Sequence, residues 1–214
     1  AIARFYGALE EWRRVVGIAH ASTLSTLRTL VLELAPIDFD RAMALLDEAS
    51  EELSAVGANE AMQAEIVEGR MAACIAAGRE ALAVGEFEGA GRRFEQAEQE
   101  LESLGADDPL YRYVILHDLA DVASALGDSA LACQRYERSL EGKQRLKGVA
   151  DPDAVTTVLS LLQEIAGHHH ECALQRATAT IDELDDSPDQ VKRIEAWVTL
   201  TLSSAPSSPA PHPQ

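Results

Sequence analysis

The chain has 214 residues and a formal net charge of −18, from 36 Asp and Glu against 18 Lys and Arg. That balance argues against a surface that neutralises nucleic-acid phosphates and against adsorption to anionic lipid. No apolar run approaches the roughly 20 residues a bilayer-spanning helix needs, so neither a nucleic acid nor a membrane is expected as partner.

Residues 2–17 predict a first amphipathic helix with the stripe Leu9, Trp12, Val15 and Val16, and with Phe5 and Trp12 in inter-helix packing. A second helix over 22–35 opens with Ser22 as N-cap and is stopped by Pro36. Asp38 or Asp40 caps the third, which runs to Val56 and ends at Gly57. Residues 60–83 make a long fourth helix. Gly69 and Gly78 inside it each cost about 1 kcal/mol relative to Ala, and Gly78 falls where a close helix contact is expected. A fifth helix over 87–104 ends at Gly105, and Asp107-Asp108-Pro109 opens a sixth reaching Leu126. After a hairpin at Gly127-Asp128, a seventh runs from Ser129 to Leu146 and ends near Gly148. Asp151-Pro152-Asp153 starts an eighth to Ala166; Gly167 is read as its break, and His168 to Leu184 as its partner. Ser187-Pro188-Asp189 begins a last helix to Leu202, read as a cap over the open end through Val191, Ile194, Trp197, Val198 and Leu202. The Pro/Ser/Ala-rich tail 203–214 is expected to be disordered.

A side-chain pattern recurs along this series. After the turn at Gly85 come Phe87, Ala90, Phe94 and Ala97, which share one helical face. Forty-two residues on, Gly127 is followed by Ala132, Tyr136 and Ser139. Phe39, Ala42, Leu46 and Ala49 repeat it earlier, and Ala173, Ala177 and Thr180 repeat it weakly later. Small residues let two helix backbones approach and the bulky one fills the space beside them, so the period signals stacked helical hairpins.

The set Gly85, Phe87, Ala90, Phe94 and Ala97 resembles the tetratricopeptide repeat. Tyr136 to Gly148, followed by Asp151-Pro152-Asp153, Val155 and Thr157, is similar to the kinesin-light-chain type of that repeat, and residues 5–30 run in parallel from Phe5 through Gly17 to His20 and Leu27. The resemblance covers roughly residues 1–185. It departs from the subfamily in lacking Asn on the first helix of each pair; Asn59 is the only Asn and is read as lying in a loop. The implied fold is all-α, a right-handed superhelical solenoid of antiparallel helix pairs. One repeat domain is expected over 1–202, with hairpins at about 22–56, 60–104, 109–147 and 152–185 and flanking helices 2–17 and 188–202. The implied function is a protein-interaction scaffold or adaptor binding a partner peptide or helix in its concave groove. The resemblance also implies a module of a larger bacterial signalling protein, and the absence of an initial Met fits a piece of a longer chain. The rival reading is a regulatory domain that senses a small ligand or signal peptide.

In such a fold the first helix of each pair lines the groove. The register assigns to it Leu24, Leu27, Arg28, Val31 and Leu34, then Ala72, Ile75, Arg79 and Leu82. Val114, His117, Asp118, Asp121 and Ser124 follow, then Val155, Val158, Leu159, Leu162 and Ile165. The partner-contact candidates drawn from these are Arg28, Val31, Ile75, Arg79, His117, Asp118, Asp121, Val158 and Leu162. The apolar ones are either buried or form a groove for an apolar helix. His117, Asp118 and Asp121 would suit a Lys or Arg of a partner, or pair internally with Arg112. The Lys and Asn set with which such domains clamp an acidic peptide is missing. Asp47–Glu68 holds seven acidic residues and Glu95–Asp108 six, with no Lys or Arg in either. These blocks read as solvated outer faces, with docking of a basic partner as the sharper alternative.

No nucleotide-binding glycine loop, Gly-x-Ser-x-Gly motif or carboxylate pair on an apolar face appears, so no enzyme and no cofactor are expected. His168-His169-His170-Glu171-Cys172 is the one stretch with metal-ligand types. Only His168 and Cys172, four apart, would share a helix face, and zinc wants four ligands, so no intrinsic metal site is expected. Cys74, Cys133 and Cys172 are each placed in a helix at or near a packing face and read as reduced thiols of a cytoplasmic protein.

Overall fold

The computed structural model describes residues 1–104, 109–184 and 187–204. Among these residues are ten α-helices and no strand: α1 (Ile2–Val16), α2 (Ala21–Leu34), α3 (Phe39–Ala55), α4 (Glu60–Ala83), α5 (Phe87–Ser103), α6 (Pro109–Ala125), α7 (Ser129–Lys147), α8 (Pro152–His168), α9 (His170–Glu183) and α10 (Pro188–Ser204). The expected stop at Gly105 and the lead-in Asp107-Asp108 lie outside the described residues, as does the expected disordered tail from residue 205 onward.

Local chemistry accounts for most boundaries. Asp38 caps α3, its carboxylate accepting from the Arg41 N–H at 3.0 Å. Asn59 is the cap of α4 and accepts from the Met62 N–H at 3.0 Å. Asp128 does the same for α7 and Asp151 for α8, where Pro152 occupies the first turn. Gly85 and Gly127, at equivalent places in the repeat, have φ of 85° and 82°, the left-handed conformation that side chains disfavour. Two boundaries differ from expectation. His20, not Ser22, caps α2, its Nδ1 accepting from the Ser22 N–H at 3.2 Å. Gly167 does not break α8, which continues through His168; the break falls at His169, with φ −141° and ψ 70°. Glycine permits a turn without enforcing one, and here its helical hydrogen bonds stay intact.

The chain divides into two compact units, Ala1–Gly127 and Asp128–Gln214. In the first, α2 packs on α3 and α4, and α4 packs on α5 and α6. The first helices α2, α4 and α6 therefore adjoin one another, with α3 wedged against α2 and α4, and α5 against α4 and α6. The recurrent stripe makes these joints: Ala42, Leu46 and Ala49 of α3, and Ala90, Phe94 and Ala97 of α5, are all buried. Both interior glycines of α4 serve them. A Cβ at Gly69 would stand 3.1 Å from Leu46 Cδ2, and one at Gly78 would stand 2.6 Å from Phe94 Cε1. Leu46 and Phe94 hold the same place in successive repeats, so α4 is thinned wherever a bulky repeat residue presses on it. Arg93 lies over the Phe39 ring at 3.5 Å from its centroid and ties α5 to α3.

The end helix of this unit is less covered than its pattern suggests. Leu9 is buried, but Trp12 is 39% exposed and Val15 and Val16 are exposed as well. α1 packs on α2, which covers only one side of it.

In the second unit α8 lies between α7 and α9, and α10 packs on both α8 and α9. Ala132, Tyr136 and Ser139 of α7 and Ala173 and Ala177 of α9 are buried in the places the repeat assigns them. α10 buries Ile194 and is fastened to α8 by polar contacts. Arg193 donates to the Pro152 carbonyl and to Thr156 Oγ1, and Trp197 Nε1 donates to Gln163 Oε1.

Candidate functional site

The first helices of unit 1 form a continuous face, and its residues come from the same heptad-like spacing on each helix. On α4 the positions Glu65, Glu68, Ala72, Ile75 and Arg79 recur at three- to four-residue steps and lie along one side. On α2 the corresponding side carries Ala21, Ser25 and Arg28. Between α2 and α4 this arrangement leaves a cleft of about 350 Å³. Leu24, Leu27, Leu46 and Ile66 line its apolar part, Arg28 stands on the α2 wall, and Glu65 and Glu68 stand on the α4 wall. Arg28, Glu65 and Glu68 are exposed, and none of them pairs with another described residue.

At the other end of the face, α4 is joined to α6 through charge. Arg79 Nε donates to both oxygens of Asp118 at 3.1 Å, and its Nη2 reaches Oδ2 at 3.0 Å. Asp118 is only 3% exposed, whereas the Arg79 side chain is half exposed and presents its outer edge to solvent. On α6, His117, the residue before Asp118, has its Nε2 3.7 Å from Oδ2 of Asp121, one turn further on.

The structure sorts the candidate positions into two groups. Val31, Ile75, Val158 and Leu162 are buried, so of the two readings left open for the apolar candidates, burial is the one present. Val31 packs in the core shared by α1, α2, α3 and α4, and Ile75 in the core shared by α4, α5 and α6. Asp118 is likewise buried and already holds Arg79. Arg28, Arg79, His117 and Asp121 retain accessible surface. Sequence reasoning missed Glu65 and Glu68 as groove positions because it grouped them with an acidic block. Seven-residue steps back from Ala72 and Ile75 would have placed them.

The rest of that acidic block is largely neutralised on α3. Asp47 pairs with Arg70, Glu48 with Arg41 and Glu52 with Arg13. Glu100 of α5 is part-buried, and burial pushes its carboxyl above the usual range against the pull of Arg70.

The metal-type stretch is taken apart by the break at His169. His168 ends α8 while Cys172 lies on α9, so the two do not share a helix face. His168 Nε2 is instead 2.8 Å from Ser129 Oγ. Among the described residues no group of three His, Cys, Asp or Glu side chains could hold a metal ion. All three cysteines are free. Cys74 is fully buried, which pushes its thiol up to about 12 with a further contribution from Glu100. Cys172 is exposed, away from the packing face expected for it.

No protein-family model and no curated protein matches this sequence. Solved structures do. The crystal structure of BtubC (BKLC) from P. vanneervenii aligns over 100% of this chain and 95% of its own, with a TM-score of 0.53 at 19% identity. Two crystal structures of a Podosopora anserina protein with nearly identical kinesin-light-chain TPR-like repeats align as well. The first covers 95% of this chain and 87% of its own, with a TM-score of 0.45 at 15% identity. The second covers 91% and 85%, with a TM-score of 0.44 at 16% identity.

The fold is that of a TPR-like repeat protein. It is an all-α repeat of antiparallel helix pairs, as the stacking of α2, α4 and α6 and the buried small–bulky–small stripes require. No helix among the described residues is long and apolar enough to cross a membrane.

Proposed function

We propose that this TPR-like chain is an adaptor that holds a peptide or helix of a partner protein against the face formed by α2, α4 and α6, as a module of a bacterial signalling protein. The observation that carries this reading is the cleft between α2 and α4. It joins apolar surface to three exposed charges that have no partner among the described residues, Arg28, Glu65 and Glu68. Charges left unpaired on a concave surface cost the free protein nothing, because water solvates them, and they give a partner orientation and specificity. Further along, Arg79 of α4 and the His117–Asp121 pair of α6 add accessible polar groups.

Site-directed photo-crosslinking tests the reading. A photoreactive residue in place of Arg28 should capture a distinct host protein, and one in place of Glu88, exposed on α5, should not. Equal capture at both positions would count against a groove and for a sticky surface.

The size of the cleft favours one second reading. About 350 Å³ falls within the range of small-molecule sites, roughly 300–1,000 Å³, which suits a ligand- or signal-peptide-sensing domain. A rise in Tm with a small metabolite, lost in Arg28→Ala, would favour the sensor over the adaptor.

A further inference from the structure

Resting on the adaptor reading, we infer that the α2/α4 cleft recognises a basic, apolar-flanked segment of the partner, with Glu65 and Glu68 together holding one Lys or Arg side chain. Three observations converge on this occupant. Glu65 and Glu68 are three apart on α4, so their carboxylates project from adjacent turns toward the same cleft. Neither carboxylate is paired with a cation among the described residues, whereas Asp47, Glu48 and Glu52 of neighbouring α3 pair with Arg70, Arg41 and Arg13. The floor of the cleft behind them is lined by Leu24, Leu27, Leu46 and Ile66, each 5% exposed or less, so the stem of a cationic side chain and its apolar neighbour would meet only the narrow apolar strip these residues leave accessible.

Arg28 gives the cleft a direction. It stands across from the two glutamates, so a cation is repelled at the α2 wall and drawn to the α4 wall. A segment bearing a basic residue followed by an acidic one would satisfy both walls in a single orientation. The net charge of −18 adds long-range attraction for such a segment and speeds encounter, an effect that salt removes.

The test uses the full chain and two fluorescein-labelled synthetic peptides of equal length, one alternating Leu and Arg, the other Leu and Glu, followed by fluorescence anisotropy. The arginine peptide should bind and the glutamate peptide should not. The double variant Glu65→Gln/Glu68→Gln should weaken the arginine peptide about tenfold, whereas Glu88→Gln/Glu95→Gln on α5 should leave it within about twofold. Equal loss in both double variants would overturn the proposal, since binding would then follow bulk charge. Glutamate-peptide binding lost in Arg28→Ala would overturn the basic specificity and leave the adaptor reading standing. Binding of neither peptide, together with equal crosslinking from positions 28 and 88, would bring down both.

Discussion

Gly78 of α4 and Phe94 of α5 are packed so closely that a Cβ on the glycine would lie 2.6 Å from the ring. The ring is fully buried, with Ala90 and Ala97 on either side. This contact sets the spacing of the second helix pair, and it sets the price of adding a single methyl group.

Gly78→Ala should therefore destabilise unit 1 by about 1–3 kcal/mol, even though Ala is the better helix former by about 1 kcal/mol. The matched control is Gly7→Ala in α1, where a Cβ meets nothing within 4 Å. That substitution should stabilise by up to about 1 kcal/mol. Urea denaturation of the two variants decides it, because helix propensity alone would move both midpoints upward.

Removing the ring gives the converse result. Phe94→Ala empties a fully buried site and should cost about 3–5 kcal/mol. In the background of Phe94→Ala, the penalty of Gly78→Ala should vanish, since nothing is left for the methyl to strike. A double-mutant cycle on denaturation midpoints reads this coupling directly.

The Arg79–Asp118 pair should behave as a clamp between α4 and α6. Arg79→Ala leaves a buried carboxylate short of its cation, and the midpoint should fall by the equivalent of about 1–3 kcal/mol. Arg79→Lys should recover only part of the loss, because an ammonium cannot present the Nε and Nη2 donors together. Full recovery by Lys would show that only the charge matters there.

Glu100 should make the protein less stable at neutral pH than its packing alone would. Its folded pKa is raised, chiefly by burial. Below the ordinary carboxylate range both states are protonated and the group has no effect. As pH rises, the unfolded chain releases this proton first, so stability falls until the folded pKa is passed. Glu100→Gln should raise the urea midpoint at pH 7, and the gain should be gone at pH 3. A gain that is equal at both pH values would mean that packing, not ionisation, is responsible.

The three thiols should separate cleanly in a labelling experiment. Cys172 is exposed and should react first with a maleimide. Cys133 is half-buried and its thiol is pushed upward by burial and by Glu164 and Glu137, so it should follow more slowly. Cys74, pushed to about 12 and fully buried, should react only on unfolding. Peptide mapping by mass spectrometry gives the order.

Much of this was legible in the residues alone, and the reason is local. Caps such as Asp38 and Asp151, the turn glycines Gly85 and Gly127, and the small–bulky–small stripes on α3, α5 and α7 all act over one to seven positions. Within that reach, backbone geometry allows few alternatives. The same spacing marked Gly78 as a close-contact position. What tertiary structure alone decided was which side of a first helix is covered. Val31 and Leu162 went into the core while Arg28 stayed on the surface, Trp12 was left 39% exposed, and Glu65 and Glu68 came to face a cleft. Each of those outcomes depends on two neighbouring helices at once, and a single helix's periodicity records only that it has an apolar side, not how wide the neighbours make it.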